Sequence, residues 1–542
     1  MSRKRLALGL DASTQSLSVS VLDIDERKIL AELSLDYLKD ERLNTFGIRE
    51  PDYILPPRSE GEADQPPLMF LAALDAIFDD LKKLVPLETV AVINTSGQQH
   101  GHVYLNSAAS SIFASLDKTG NESSNLVSLL KGSLAYERAP IWMTADTDKQ
   151  VSLVRNNIGG KDRLIRLSGS DAQLRFTGCI IRRTAEKYPD VYTRTSIIHL
   201  ISSFIPAILT GNARVPVDYG NACGMSLMNY RRKKWSDTLL RATSCGLPGG
   251  KSVLRNKLPG ITAPDAIVGK IAAYFINRYG LNRECLVVAG SGDNPQSKVL
   301  VSGDLLSLGS SFVFMVATDG KTMDNTGAAC AMYDGVGRPF MFGCRTNGAL
   351  VWDQLRALYG LRKENYATAE AALKHAPVGR SLVFWQPRDE SFPLSSKFRL
   401  TRIDTHNPDL ASDYTGIIES SLAAVYYHSK NFRCSSKEPL HVTGGATDSP
   451  SVIRRVAAIW NRPLVVTGKG GAALGAAVAG ISAYFKHRGE VFNIEDYSIS
   501  VSPRGEIIEP ITEDVWLIHN PGGFLDKFVR EEASIIKKYP LG

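Results

Sequence analysis

The sequence predicts an α/β protein with two similarly built halves. At 542 residues the chain exceeds the size of one ordinary hydrophobic core, so two large domains are expected. Residues 6–22 read as a strand, a polar loop and a returning strand. Residues 304–317 repeat that plan, with a glycine and small hydroxyl residues between two apolar strands. The repetition indicates an internal duplication of one fold.

The loop of the first hairpin carries a dense set of polar groups. Asp11 supplies a carboxylate, and it is followed by the hydroxyls of Ser13 and Thr14 and the amide of Gln15. Backbone N–H groups and hydroxyls can bind a phosphate, while a carboxylate can hold a hard cation such as Mg²⁺. An ordinary hairpin with Asp11 and Ser13 capping their own turn is the alternative. The second copy of the hairpin favours the phosphate-binding interpretation.

The elements after the first hairpin follow the order of a ribonuclease-H-like layer. We expect a third strand over 29–35, a periodic helix over 67–84 that opens on proline, and a buried strand over 89–95. Three strands, a helix and a strand in this order place the helix on one face of a mixed sheet. Residues 106–138 are polar and poorly patterned, which predicts a surface insertion. Residues 195–209 read as a buried helix.

Candidate ligand-binding groups follow the buried strand. Residues 96–101 read SGQQHG, at the carboxyl end of a strand, where open α/β sheets bind ligands. Gln98, Gln99 and His100 can each donate and accept hydrogen bonds, as recognition of sugar hydroxyls requires. A structural role for the histidine is the alternative. Arg175 lies among apolar residues, and we expect it either to pair with a protein carboxylate or to bind an oxygen-rich ligand.

A second buried strand, over 285–289, ends in a glycine-rich turn that presents Asp293 and Asn294. A carboxylate in this position can take a proton from a substrate hydroxyl. The alternative makes Asp293 the N-cap of the next helix, with Pro295 at the first helical position. The two roles are compatible.

The second half contains two glycine-rich stretches. Gly444 and Gly445 follow a short strand and allow the backbone to approach a flat ligand, and Ser449 begins the next helix. A common strand-to-helix turn is the alternative there. Residues 468–480 predict a helix of small residues that must pack very closely on its neighbour.

Composition excludes several classes of protein. The net charge of +7 arises from 63 basic and 56 acidic residues without a long basic run, so nucleic-acid binding is not expected. Seven cysteines, among them Cys434, show no CxxC or paired spacing, which argues against a disulfide framework or a zinc site and favours the cytoplasm. The first apolar run is interrupted by Asp11 and is too short for a signal peptide or a membrane span.

The motifs, in chain order, resemble those of the FGGY family of carbohydrate kinases, and among its members most closely those of the xylulose kinases. They are LGLDASTQS, SGQQHG, RFTG, SGDNP, LGSS and VTGGATDSP. The resemblance spans about residues 6–485. It implies two ribonuclease-H-like domains of the actin, Hsp70 and hexokinase superfamily flanking a central cleft. Residues 1–298 would form the sugar-binding domain and 299–542 the nucleotide-binding domain.

The resemblance implies ATP-dependent phosphorylation of a ketose, with D-xylulose converted to D-xylulose 5-phosphate and Mg-ATP bound between the domains of a monomer or homodimer. Another ketose or a polyol as substrate, and a sugar- or nucleotide-binding member with weakened catalysis, are the alternatives. The implied roles are Asp293 as general base; Asp11 near Mg²⁺; His100, Arg175, Asp293 and Asn294 at the sugar; and Thr14, Gln15, Ser310, Tyr366, Gly444, Gly445, Ala446 and Ser449 at ATP.

The sequence departs from the family pattern at four places. Thr144 stands where an acidic or amide residue is expected, and Asn221 where aspartate is common. Ser449 stands where asparagine is frequent, and the second hairpin reads LGSSF in place of LGTS followed by a small or polar residue. The first two substitutions bear on the identity of the sugar, and the altered loop bears on the catalytic rate.

Overall fold

The chain forms two compact units. The computed structural model describes residues 4–118, 124–362, 366–403, 408–433, 437–468 and 470–540, so Cys434 and Lys469 lie outside the described residues. The first unit comprises the chain up to Leu300 together with Ala331–Pro339 and Gly470–Val501. The rest of the described chain forms the second unit. The domain boundary predicted at residue 298 lies close to Leu300, but the sequence does not reveal that 331–339 and 470–501 return to the first unit.

Six strands form most of the main sheet of the first unit. They are β1 (Leu6–Ala12), β2 (Ser16–Asp23), β3 (Lys28–Asp36), β4 (Val90–Gly97), β5 (Ile267–Lys270) and β6 (Leu286–Val288). Across the sheet they run in the order β5-β6-β4-β1-β2-β3. β1 pairs antiparallel with β2, and β4 pairs parallel with both β1 and β6. Every residue of β1 and β4 is buried, as expected for strands covered on both faces.

The second unit repeats this arrangement. Its strands are β7 (Leu305–Leu308), β8 (Phe312–Ala317), β9 (Pro339–Arg345), β10 (Leu440–Thr443), β11 (Leu464–Thr467) and β12 (Arg504–Ile508). They run in the order β12-β11-β10-β7-β8-β9, and each neighbouring pair has the same relative direction as its counterpart in the first sheet. The predicted duplication and the α/β fold class are confirmed.

Six helices matter for the arguments below. They are α1 (Pro67–Leu84), α2 (Ile201–Thr210), α3 (Asp293–Lys298), α4 (Leu410–His428), α5 (Pro450–Trp460) and α6 (Ala472–His487). The bounds of α1 match the prediction, because proline is tolerated at the first helical position and Val85 takes an extended conformation. Its apolar face joins the core of the first unit beside β2 and β3.

The remaining elements are shorter or peripheral. The other helices are Ala109–Ala114, Leu126–Leu130, Asp148–Ile158, Lys161–Ser168, Thr177–Lys187, Pro189–Arg194, Tyr219–Ala222, Asp237–Ser244, Gly250–Lys257, Ala273–Tyr279, Ala349–Leu358, Tyr366–His375, Ile494–Val501, Thr512–His519 and Phe524–Lys538. The other strands are Asp64–Gln65, His102–Leu105, Ala139–Pro140, Ile197–Leu200, Val217–Asp218, Met228–Asn229, Lys234–Trp235, Ile261–Thr262, Ser291–Gly292, Cys330–Tyr333, Leu382–Gln386, Glu390–Ser391, Leu394–Ser395 and Phe398–Ile403.

Two sequence-based expectations are wrong. The stretch 106–138 is not only a surface insertion, because its apolar residues Phe113 and Leu126 are fully buried in the core of the first unit. Its two helices are too short for periodicity to reveal them. The stretch 195–209 is not one helix, since the strand Ile197–Leu200 precedes α2. A continuous apolar run does not separate a buried strand from a buried helix.

Helix α6 packs with its backbone directly against neighbouring backbone. A Cβ added to Gly9 of β1 would lie 2.0 Å from the carbonyl oxygen of Ala473 and 2.4 Å from the amide nitrogen of Ala477. A Cβ added to Gly475 would lie 1.9 Å from the carbonyl oxygen of Gln296 in α3. The predicted close packing of the small-residue helix is confirmed. α6 therefore fixes the strand that carries Asp11 relative to the helix that begins with Asp293.

Substitution of Gly475 tests this contact. We expect Gly475→Ala to lower the free energy of unfolding by about 2 kcal/mol or more, because neither backbone can yield without moving a strand or a helix. Urea unfolding followed by circular dichroism measures the change. Gly260→Ala is the control, since its nearest neighbour would be 3.9 Å from the added Cβ. Equal effects of the two substitutions would contradict the packing argument.

Candidate active site

Three strand ends of the first unit bring the predicted catalytic groups together. Asp11 in β1 pairs in register with Ser96 in β4, and Ser96 pairs with Ser291, two residues before Asp293. The parallel directions of β1, β4 and β6 place the residues that follow them at the same edge of the sheet. The backbone N–H of Gln98 donates to the carbonyl of Ala12 at 3.0 Å, which holds the two loops side by side.

Asp293 has a raised pKa, and the charge of Asp11 contributes to it. Asp293 is half-buried; burial, helped by the negative charge of Asp11, raises the pKa of Asp293 to about 7. Burial also raises the pKa of Asp11, although the Ser13 hydroxyl donates a hydrogen bond to its Oδ2. The backbone N–H of Asn294 donates to Asp293 Oδ1 at 2.8 Å. A carboxyl group with a pKa near neutrality is well matched to exchanging a proton with a hydroxyl.

The capping alternative for Asp293 is wrong. Gly292 occupies the N-cap of α3, no side chain caps the helix, and Asp293 is already its first helical residue. The carboxylate is therefore not needed to begin the helix. Pro295 is the third helical residue rather than the first.

One carboxylate oxygen of Asp11 bears on its predicted role near Mg²⁺. Its Oδ1 atom is buried and has no hydrogen-bond partner among the described residues. Within the same part of the chain, no group of three or more His, Cys, Asp or Glu side chains is placed to hold a metal ion. Mg²⁺ commonly binds through one or two carboxylates and completes its octahedron with water and phosphate oxygens. The single open carboxylate oxygen fits that mode of binding.

His100 is a neutral hydrogen-bonding group. Burial, together with the nearby charge of Arg175, lowers the pKa of His100 to about 3, so the ring is uncharged at pH 7. Its Nδ1 lies 3.0 Å from the carbonyl oxygen of Gly224, which requires the proton to reside on Nδ1. Nε2 then carries a lone pair that can accept a hydrogen bond from a hydroxyl. The ring stacks on Phe176 at 5.0 Å between centroids.

Arg175 was expected either to pair with a protein carboxylate or to bind an oxygen-rich ligand, and the described residues do not supply that carboxylate. It is half-exposed, and among the described residues no carboxylate lies within ion-pair distance of its guanidinium. Its charge acts on His100 instead. The sugar-binding role of Arg175 stays a prediction.

A buried amide, Gln65, ties the first hairpin to its surroundings and was not singled out from the sequence. Its Nε2 donates to the carbonyls of Thr14 at 2.7 Å and Tyr53 at 2.8 Å, and its Oε1 accepts from Gln98 Nε2 at 2.7 Å. The Thr14 hydroxyl accepts from Trp142 Nε1 at 2.9 Å. In the sequence, Gln65 is marked only by its position before two prolines and a helix. Its burial cannot be read from the sequence.

Thr144, which departs from the family pattern, makes a hydrogen bond within the protein. Thr144 is buried, and its hydroxyl donates to the carbonyl of Ala63 at 2.9 Å. Its side chain is therefore occupied in holding two loop segments together. The effect of Thr144 on the sugar stays a prediction.

The second unit gathers part of the predicted nucleotide site. Gly444 follows β10 with φ of +104°, and an added Cβ would lie 2.6 Å from the carbonyl oxygen of Leu308 at the end of β7. Gly445 is exposed, and apart from its chain neighbours no described residue comes within 4 Å of an added Cβ. Ser310 is exposed in the β7–β8 turn. Gly444 thus serves the packing of the protein itself, whereas Gly445 and Ser310 leave open backbone for a ligand.

Ser449 and Tyr366 lie close to each other in the second unit. The Ser449 hydroxyl accepts from the backbone N–H of Val452 at 3.1 Å, which caps α5, and donates to Glu370. Burial raises the pKa of Tyr366, and the Arg356 guanidinium lies 5.2 Å from its ring centroid. The hydroxyl of Ser449 thus already donates one hydrogen bond and accepts another within the protein. The nucleotide-binding roles of Ser449, Tyr366 and Ala446 stay predictions.

The chain matches a known family along most of its length. The profile described as the FGGY family of carbohydrate kinases, N-terminal domain, matches residues 135–299, and the corresponding C-terminal domain matches 305–484. The chain is 27% identical to a probable D-xylulose kinase A of Aspergillus flavus, with 98% of each chain covered. It is 28% identical to the probable D-xylulose kinase A of Neosartorya fischeri, again over 98% of each.

Solved structures share the fold. A gluconate kinase from Lactobacillus acidophilus superposes with a TM-score of 0.81 at 17% identity over 99% of each chain. A xylulose kinase from Rhodospirillum rubrum gives a TM-score of 0.79 at 16% identity, covering 98% of this chain and 99% of that one. At such identities these matches establish the two-domain α/β fold. No helix in the described part of the chain is both long and apolar enough to cross a membrane.

Removal of the Gln65 amide should weaken the first unit. We expect Gln65→Leu to lower the free energy of unfolding by at least about 2 kcal/mol, because the carbonyls of Thr14 and Tyr53 and the amide of Gln98 lose their partner. Urea unfolding measures the loss. Gln15→Leu, at an exposed side chain, is the matched control and should change stability by less than about 0.5 kcal/mol. Similar losses of stability in the two variants would contradict the stabilising role of the Gln65 amide.

The raised pKa of Asp293 predicts a pH-dependent stability difference. The carboxyl group ionises near pH 4 in the unfolded chain and near 7 in the folded one, so the native state binds more protons between these values and loses stability as pH rises. Asp293→Asn removes that loss. The melting temperature of the variant relative to the unsubstituted protein should be unchanged at pH 4 and higher at pH 8. Asp190→Asn, at an exposed carboxylate, serves as the control. A difference that does not vary with pH would rule out the raised pKa.

Proposed function

The chain belongs to the FGGY family of carbohydrate kinases, and we propose that it transfers the γ-phosphoryl group of ATP to the 5-hydroxyl of D-xylulose. One observation carries the proposal: Asp11 and Asp293 stand at the same edge of one sheet, close enough for the charge of Asp11 to raise the pKa of Asp293. A base and a cation ligand side by side are what phosphoryl transfer to a hydroxyl needs.

The choice of substrate is supported by two lines of argument. The relatives that match over their full length are described as probable D-xylulose kinases. The first unit also offers groups suited to a polyhydroxylated ligand: the lone pair on His100 Nε2, the guanidinium of Arg175 and the amide of Asn294. We expect these three side chains to orient the sugar.

In the proposed mechanism, Asp293 accepts the proton of the 5-hydroxyl as that oxygen attacks the γ-phosphorus. The bond from the γ-phosphorus to the bridging oxygen breaks, ADP leaves with the bonding electron pair, and the new phosphate ester forms on the sugar. Proton transfer to a base whose pKa lies near the working pH is efficient in both directions. Mg²⁺ bound at Asp11 would offset the negative charge of the phosphates.

The altered second hairpin is compatible with catalysis. β7 and β8 pair from Leu305 and Met315 to Leu308 and Phe312 without a register shift, and Ser310 stays exposed between them. The change from LGTS to LGSS keeps a short hydroxyl-bearing loop. We therefore favour an active kinase over a binding protein with weakened transfer.

A sugar panel with a base variant tests the proposal. ADP release is measured for D-xylulose, D-ribulose, other ketoses, polyols and gluconate, and kcat/KM is compared. We expect D-xylulose to give the highest value, and Asp293→Asn to lower kcat by about 10²-fold or more while sugar binding survives in calorimetry. Asp190→Asn should retain full activity.

Three results would overturn parts of this proposal. A higher kcat/KM with another ketose or a polyol would replace the substrate while retaining the kinase. Near-normal turnover by Asp293→Asn would remove Asp293 from the role of base. Binding of ATP and sugar without any ADP release would leave only a binding function.

A further inference from the structure

We propose that Gln99 and Asn221 form a subsite for a single hydroxyl group of the sugar, which we call the Gln99–Asn221 subsite. The inference rests on the proposed function in one respect, namely that the polyhydroxylated ligand binds in the first unit beside Asp293. It pairs Gln99, whose amide is suited to sugar hydroxyls, with Asn221, and it names the one group that the two side chains recognise together.

Each of the two side chains has one satisfied and one unsatisfied polar atom. Gln99 is 7% exposed and Asn221 is 1% exposed. Gln99 Oε1 accepts from Asn294 Nδ2 at 2.9 Å, and Asn221 Nδ2 donates to the Ser202 hydroxyl at 2.7 Å. In contrast, Gln99 Nε2 and Asn221 Oδ1 are buried without a hydrogen-bond partner in the described residues. One buried side chain thus has an unpaired donor, and the other has an unpaired acceptor.

Both side chains flank the same point of the backbone. A Cβ added to Gly292 would lie 2.8 Å from Gln99 Cγ and 3.0 Å from Asn221 Oδ1. Gly292 directly precedes Asp293, the candidate base. The two open polar atoms therefore belong to the surroundings of the reacting group and not to a remote part of the core.

The chemistry of the two atoms selects the ligand. Leaving a buried donor or acceptor unpaired carries a free-energy penalty, so a group that satisfies both atoms is strongly preferred. A hydroxyl accepts from Gln99 Nε2 and donates to Asn221 Oδ1 at the same time. A carbonyl or phosphate oxygen only accepts, and an ammonium only donates, so either would leave one of the two atoms unpaired. The subsite suits a sugar hydroxyl or a water molecule.

A hydroxyl bound there would also join the hydrogen bonds around the base. Asn294 Nδ2 donates both to Gln99 Oε1 and, at 3.2 Å, to Asp293 Oδ1. The chain of hydrogen bonds would therefore run from the hydroxyl to Gln99, from Gln99 to Asn294 and from Asn294 to Asp293. A substrate that fills the subsite would hold Gln99 and Asn294 in the orientation that also holds Asp293.

Deoxy analogues of the substrate separate a sugar hydroxyl from water. The kcat/KM values of the preferred sugar and of analogues that each lack one non-reacting hydroxyl are measured for the unsubstituted protein, Asn221→Leu and Gln99→Met. We expect one analogue to be disfavoured by about 10²-fold or more by the unsubstituted protein, as for sites built to bind a hydroxyl. In both variants, kcat/KM for the parent sugar should fall at least about tenfold. The variants should also no longer discriminate against that analogue.

The controls keep the test decisive. Thr195→Val removes another buried hydrogen bond of the first unit, from the hydroxyl to the carbonyl of Val191, and should leave the discrimination between sugar and analogue unchanged. Asn221→Asp keeps an acceptor and should preserve the discrimination between sugar and analogue. This variant covers the case in which Asn221→Leu does not fold. Equal losses by the variants on the parent sugar and on every analogue would show that water fills the subsite, and the proposal would be wrong.

Failure of the kinase proposal gives a different result. If no sugar of the panel supports ADP release, the same comparison is made by calorimetry of sugar binding. Position-selective loss of binding in the two variants then supports the subsite without catalysis. Undiminished binding of every analogue by the unsubstituted protein contradicts it.

Discussion

The contact of α6 with β1 and α3 is the constraint on which the candidate site depends. Gly9 and Gly475 let the helix backbone touch a strand on one side and a short helix on the other, with no side chain between them. Asp11 lies two residues after Gly9, and Asp293 begins the helix that Gln296 belongs to. The separation of the two carboxylates is thus set by rigid backbone contacts. Since α6 comes from residues 472–487, distant sequence completes the first unit.

The two sheets share one topology, but their charges differ. In the first hairpin the carboxylate of Asp11 lies near the turn, with one oxygen unpaired. In the second, the acidic residue is Asp304, before β7, and its Oδ2 accepts from Arg462 at 2.6 Å. The turn beyond β7 contains only glycine and serine. The duplication therefore supplied two equivalent backbone loops, of which the first carries a carboxylate and the second only neutral hydrogen-bonding groups.

The sequence predicted the parts of the structure that local rules determine. The two hairpins, α1 with its proline start and the small-residue helix all follow from periodicity and residue size. The loop residues Asp11, His100 and Asp293 were found because polar groups directly follow buried strands. Gln65, and the pairing of Gln99 with Asn221 beside Gly292, could not be found, because their significance lies in which polar atoms are paired after folding. The strand Ile197–Leu200 was missed since nothing in an apolar run marks where a strand ends and a helix begins.

The central claim is that Asp293 is a base tuned by burial and by Asp11. The pH dependence of kcat/KM for the preferred sugar tests it most directly, because that quantity reports ionisation of the free enzyme. The account predicts a logarithmic plot that falls with a slope of one below an apparent pKa of about 7. A plot that stays level down to pH 5 would show that the essential carboxyl group has an ordinary pKa, and it would contradict the account.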